Sequence, residues 1–248
     1  MKKYTILISA VAAIGGLLFG FDTAVIAGTI PALRSYFTLD DNAIGLVVAA
    51  ASIGCIPGAL FAGNLANRYG RKLMMLVTAV LYVIAALGSG MAGSFESLVL
   101  YRFIGGLAIG MASTLAPIYI SEVAPAQYRG RLGMSQQLAI VVGILLAFIS
   151  NYFIDSAGWT FLTPENTWRY MLAAAVIPSV VFFILLLLVP ESPRWLIQRE
   201  RHDHAHRIFG RIYDAPKAKE ELETVRQDIA SSKQGLRFME IFLLNTEK

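Results

Sequence analysis

Asp22 is a lone carboxylate in an apolar run that extends from Tyr4 to Leu33, within the stretch GGLLFGFDT at 15–23. A charge in a membrane-type segment is costly to desolvate, so it needs a partner and usually faces a polar interior where it serves a function. Arg102, the one cation inside the apolar run at 98–120, supplies the opposite charge. Such a pair can be a static bridge that stabilises the fold. It can also be a proton switch, because a carboxylate that loses its cation in a desolvated site takes up a proton. Gln136 and Gln137 are the next polar residues in apolar surroundings. An amide donates and accepts, which suits either a hydrogen bond between helices, worth about 0.6–2 kcal/mol, or the hydroxyl groups of a ligand.

The elements that must position these groups are membrane helices. The chain has 248 residues, 56% hydrophobic and 15% charged, with a mean hydropathy of +0.60, which departs from soluble composition toward a membrane protein. Six apolar runs, at 6–29, 44–66, 73–92, 98–120, 134–153 and 168–189, have the ~20 residues needed to cross a ~30 Å hydrocarbon core as helix. The opening MKKYTILISAVAAIGG has the basic flank of a signal peptide, but its apolar run continues far beyond a ~15-residue signal core, so a retained helix is expected. The single cysteine, Cys55, falls in the second run. It cannot form a disulfide within the chain and reads as a small packing residue.

All but Arg34, Arg102 and Arg169 of the 21 Lys and Arg residues fall on one side of the six runs. By the positive-inside rule that side is cytoplasmic and holds both termini, including Lys2 and Lys3. The net charge of +4 reflects this asymmetry, and no nucleic-acid partner is needed to explain it. The runs group as three plus three, the arrangement of inverted-repeat transporters. The first helix of each group then carries one charge of opposite sign, Asp22 about 13 Å and Arg102 about 9 Å from the outer helix ends at 1.5 Å per residue. Glycines at four-residue spacing, Gly16/Gly20, Gly54/Gly58 and Gly106/Gly110, predict close helix packing. Pro57, Pro117 and Pro178 mark candidate bends.

More specific is GNLANRYGRK at 63–72. Gly63, Asn67, Arg68, Gly70, Arg71 and Lys72 match the signature loop of the major facilitator superfamily, and the chain resembles that superfamily. Arg102 with Gly105 and Gly106, PIYISEVAP at 117–125 with Glu122, Arg129-Gly130-Arg131, and PESPRWL at 190–196 narrow the resemblance to its sugar porter branch, amino-terminal half. The resemblance implies an all-α membrane protein: six transmembrane helices as a 3+3 inverted-repeat bundle, half of a major facilitator fold, followed by short cytoplasmic helices. It also implies residues 1–190 as the bundle and 191–248 as a cytoplasmic segment preceding a second half, in a cell (inner) membrane.

For function, the resemblance implies proton-coupled monosaccharide transport by alternating access. Asp22 and Arg102 are then the coupling pair, since uncoupled facilitators of the family usually carry a neutral amide in place of the Asp. Gln137, with Gln136 as second choice, is implied as a sugar ligand and Phe19 as an aromatic wall of the same cavity. Ile144 stands where the bacterial xylose symporter has a second glutamine, which favours a hexose over a pentose. Gly63, Asn67, Arg68, Gly70, Arg71, Glu122, Arg129, Glu191 and Arg194 are implied as a cytoplasmic gate that latches one state. Asn67 replaces the usual Asp, which removes one ionic contact. Exposed salt bridges contribute only ~0–1 kcal/mol each, so a network is expected to act collectively.

Beyond Pro193 the chain turns polar. Ala205, Ile208, Phe209 and Ile212, then Ala218, Leu222, Val225 and Ile229, recur at helical spacing and predict two short amphipathic helices after a turn at 194–201. The apolar stretch 236–244 is too short to span and is expected at the membrane surface. His202, His204 and His206 lack a completing ligand set, so no metal and no cofactor is expected. No constellation for an enzyme appears. The chain ends where a sugar porter would begin its seventh span, so it is expected to be incomplete as a transporter and to pair with a carboxy-terminal half. The alternatives are half of an uncoupled facilitator, or a non-transporting membrane protein acting by self-association.

Overall fold

The computed structural model describes residues 3–156, 163 and 166–246, with side chains through 231. Lys2 and the side chains of the apolar stretch 236–244 lie outside the described residues. All regular structure among the described residues is helical: α1 (Lys3–Phe37), α2 (Asp41–Tyr69), α3 (Arg71–Gly90), α4 (Phe95–Val123), α5 (Arg129–Ser156), α6 (Thr167–Ala173), α7 (Val176–Leu188), α8 (Pro193–Gln198), α9 (His202–Ile212) and α10 (Ala215–Thr246). Six stretches are long and apolar enough to span a membrane: α1, α2, α3, α4, α5 with the short turn before it, and α6 with α7.

Helix starts follow local chemistry. Asp40 accepts the Ala43 N–H at 2.8 Å, and Ser94 with Ser97 forms a reciprocal capping box at the start of α4, each satisfying N–H groups that lack an intrahelical acceptor. Ser192 caps α8, whose first residue is Pro193, where a missing N–H costs nothing.

The packing follows the 3+3 pattern. The first helix of each repeat lies against the second helix of the other, α1 on α5 and α4 on α2, with α3 and α7 flanking. The glycines make this contact close. A Cβ on Gly20 would overlap the Ile140 carbonyl, and one on Gly143 the Leu17 carbonyl. On the other seam, Gly54 meets the Phe103 carbonyl, Gly58 that of Leu107, Gly106 that of Ala51, and Gly110 that of Cys55.

The expected bend at Pro178 is present, and three details differ from the expectation. The sixth span is broken at 174–175, because Pro178 has no N–H for the Ala174 carbonyl, which instead takes the Ile177 N–H at 3.2 Å. Pro57 and Pro117, by contrast, lie inside continuous helices. The predicted turn at 194–201 contains the short helix α8, and the second tail helix is one long helix through Thr246 rather than a short one. Trp195, Leu196, Ala205, Phe209, Ile212 and Ala218 of these tail helices belong to the same buried cluster as Ile8, Met75 and Tyr119 of the bundle.

Candidate functional site

Asp22 and Arg102 meet. Arg102 Nη1 donates to both oxygens of Asp22, at 2.8 and 2.9 Å, and the side chains are 14% and 3% exposed. Gly105, one turn beyond Arg102, lies beside the pair, with Asp22 Oδ1 3.7 Å from where a Cβ would stand, an ordinary contact distance. Arg102 Nε has no hydrogen-bond partner among the described residues, nor does the buried hydroxyl of Tyr82 on α3. The pair is therefore desolvated, with one guanidinium N–H left unsatisfied, a costly arrangement in a low-dielectric interior.

A cavity of about 390 Å³ adjoins the pair, lined in part by Phe19, Thr23, Ser52, Cys55 and Arg102. Phe19 thus shares a space with the ion pair. Neither glutamine lines that cavity. Gln136 is buried and packs on α1, where its Cγ lies 2.9 Å from the position of a Gly16 Cβ. Gln137 is exposed on the free face of α5. Ile144 is half-buried and packs against the cluster that contains Phe21 and Val25.

The inner-end charges form a second centre. Arg71 Nε and Nη2 each donate to a Glu122 oxygen at 2.9 Å, and Arg71 Nη1 reaches the Ala66 carbonyl at 3.1 Å. The two side chains are 6% and 8% exposed, so this contact is a buried bidentate bridge rather than the exposed, individually weak pair expected. Breaking such a pair by removing one partner costs about 3–5 kcal/mol, because it strands a buried charge.

Glu191 caps α3. Its Oε1 accepts the N–H groups of Arg71 at 3.0 Å, Lys72 at 3.1 Å and Ser192 at 2.8 Å, at the positive end of the helix dipole. Burial pushes the Glu191 carboxyl up from its ordinary value, against the pull of those N–H groups and of Arg71. Gly70 is required beside it. Its φ of 105° and ψ of 155° belong to a region essentially reserved for glycine, and a Cβ there would overlap Glu191 Oε2.

Other predicted gate residues are placed differently. Asn67 contributes its carbonyl, which accepts from Trp195 Nε1 at 3.0 Å and Arg199 Nη2 at 3.3 Å. Arg68 stacks on Tyr69 at 5.2 Å. No ion pair joins Arg68, Arg129 or Arg194 to another described residue. Gly63 faces open space. Sequence reasoning missed Trp195 and Arg199, which tie α8 to the end of α2, and Tyr119, whose hydroxyl donates to the Pro190 carbonyl at 2.9 Å. The signal of Trp195 and Arg199 was present only as an aromatic and a cation within PESPRWL and just after it, and that of Tyr119 as an aromatic within PIYISEVAP.

Residues 8–246 match the family described as sugar (and other) transporters. The chain belongs to this family. Among its relatives are a glucose transport protein of Synechocystis sp., 42% identical over 89% of this chain and 49% of the relative. The D-xylose-proton symporter of Escherichia coli is 38% identical over 92% and 52%, and the arabinose-proton symporter of Bacillus subtilis 39% over 94% and 50%. A solved structure of the proton:xylose symporter XylE bound to 6-bromo-6-deoxy-D-glucose matches with a TM-score of 0.89 and 37% identity, over 96% of this chain and 56% of that one. An inward-open structure of the same transporter from E. coli matches with a TM-score of 0.82, over 90% and 55%. The chain spans about half the length of these relatives, and the matching part is the amino-terminal half of a major facilitator fold. Members of the family are transporters rather than enzymes.

Proposed function

We propose that this chain supplies the amino-terminal, proton-coupling half of a monosaccharide symporter that works by alternating access together with a carboxy-terminal half. The observation that carries the reading is the desolvated Asp22–Arg102 bridge beside a cavity that Phe19 shares. Protonation of Asp22 would release Arg102, and release would shift the balance between the two access states, so the proton gradient and the sugar would be coupled through one bond. Gln137, exposed on α5, is the proposed sugar ligand from this half, and Ile144 favours a hexose. The buried Arg71–Glu122 bridge and the Glu191 cap, with Gly70 and the neighbouring cations, are proposed as the cytoplasmic latch. Residues 1–190 form the membrane bundle in this reading, and 191–248 form a segment docked on its cytoplasmic end, with both termini in the cytoplasm of a cell (inner) membrane.

The test is Asp22→Asn in vesicles that carry this chain with a carboxy-terminal half of the family. Uphill sugar accumulation under an imposed proton gradient should collapse to equilibration, while sugar exchange at equal concentrations persists. Undiminished accumulation in the variant overturns the coupling role. An uncoupled facilitator half is the second reading, in which the intact Asp22–Arg102 bridge is a static one. It requires that the unsubstituted protein equilibrate sugar without accumulating it. Self-association without transport is the third, supported by the apolar side chains exposed along α2 and α5. A stable dimer with no uptake beside a second half would favour it.

A further inference from the structure

We propose that the outer face of α9, where it meets the first turn of α1, binds the headgroup of an anionic phospholipid. His204, Arg207, Ile208 and Arg211 line a shallow groove of about 200 Å³. Positions 204, 207, 208 and 211 fall on one face of a helix. Ala205, Phe209 and Ile212 fix the neighbouring side of the helix in the core, and Ile208 packs against that core from the edge of the groove, which leaves His204, Arg207 and Arg211 exposed. Arg207 and Arg211 are exposed, and neither is held in an ion pair by a described residue. Asp203, the one acid on α9, is exposed one turn before Arg207, and no ion pair of 4 Å or less joins it to either arginine. Two guanidinium groups one turn apart repel each other and favour an anion between them. A guanidinium presents parallel N–H donors that match two phosphate oxygens, and His204 adds a ring N–H.

Depth in the membrane argues for a lipid rather than a soluble anion. The Arg211 guanidinium lies 5.8 Å from the centre of the Tyr4 ring. Within one turn of Tyr4, Ile6 and Leu7 are 46% and 60% exposed, so apolar side chains already face outward there and the hydrocarbon begins at that level. Ile6 and Leu7 thus hold Arg211 at headgroup height, with exposed Lys3 beside the same turn. Basic groups at that height each contribute about 1 kcal/mol toward anionic lipid, equivalent to a change of about fivefold in binding. The inference rests on the membrane placement of α1 and is independent of proton coupling.

The experiment titrates the delipidated chain in detergent with phosphatidylglycerol or phosphatidylcholine and counts bound lipid by native mass spectrometry. The expected result is preferential retention of phosphatidylglycerol. The double substitution Arg207→Gln/Arg211→Gln should lower that retention by about fivefold for each arginine, with phosphatidylcholine unchanged. Arg207→Lys/Arg211→Lys keeps the charge and should restore most of it. Arg226→Gln, on exposed α10 beside Glu223, should have no effect. Equal retention in the unsubstituted and double-Gln chains overturns the proposal. So does displacement of phosphatidylglycerol by millimolar inorganic phosphate, which would mark a soluble-anion site.

Discussion

At the scale of single residues, the inner-end cluster shows how one carboxylate can serve two chain segments. Glu191 closes the N-terminus of α3 and, through Ser192, the start of α8, so its ionised form is held by backbone N–H groups while its burial opposes ionisation. Burial prevails, and the folded-state pKa is raised above the unfolded value. The native state then binds more protons than the unfolded one just above the ordinary Glu range, so stability from this group is full at lower pH and declines as pH rises through the folded pKa. Glu191→Gln cannot titrate, and it replaces one acceptor oxygen with an NH₂ that faces N–H donors. It should lower stability at neutral pH by about 1–3 kcal/mol and flatten that acid-side pH dependence. Melting of the purified chain in detergent across pH checks both, and an unchanged pH profile would remove Glu191 as its source. The bland member of the motif is Gly63, whose space is empty; the demanding one is Gly70, through its φ and its contact with Glu191. Spacing in the sequence marked both glycines equally, because a pattern records residue type and not which backbone has a carboxylate against it.

At the scale of elements, glycine spacing made close helix approach legible, but not the partner. Periodicity along one helix carries no record of the helix that faces it. The structure pairs α1 with α5 and α2 with α4, backbone against carbonyl oxygen, and so repeats one packing solution in both halves of the bundle. Without a hydrophobic drive between helices in lipid, such contact rests on van der Waals packing, and even one added side chain must push the backbones apart. Gly106→Leu, against the Ala51 carbonyl, should therefore separate α2 from α4 and shift Arg102, one turn earlier. The expected outcome is a loss of about 1–3 kcal/mol or more from overpacking. Gly133→Leu, in open space on α5, should be near neutral. Melting temperatures of the two variants make the comparison, and equal effects would mean the α2–α4 seam is not as tight as described. The broken sixth span was legible at Pro178. α8 was not, since its six residues contain too little periodicity to show a helix, and its start depends on Ser192 and Pro193 together.

At the scale of the whole molecule, the question is which exposed faces meet lipid and which meet water or protein. Six apolar runs and their order could be read from composition. The Asp22–Arg102 pairing followed from the scarcity of intramembrane charge, which left each group one obvious partner. The position of the glutamines did not follow, because adjacent residues on a helix differ by about 100° in direction and nothing in the sequence fixes the rotation of α5. The structure buries Gln136 and exposes Gln137. An amide facing hydrocarbon would be costly, so the Gln137 face of α5 should be wet, whereas Ile184 of α7, 53% exposed among apolar neighbours, should face lipid. With Cys55 replaced by Ser to remove the native thiol, Gln137→Cys in bilayer vesicles should react with a water-soluble maleimide. Ile184→Cys should stay unlabelled until detergent is added. Equal labelling of the two in the bilayer would show that the free face of α5 meets lipid, and Gln137 would then be lost as a candidate sugar ligand while the Asp22–Arg102 bridge stood unaffected.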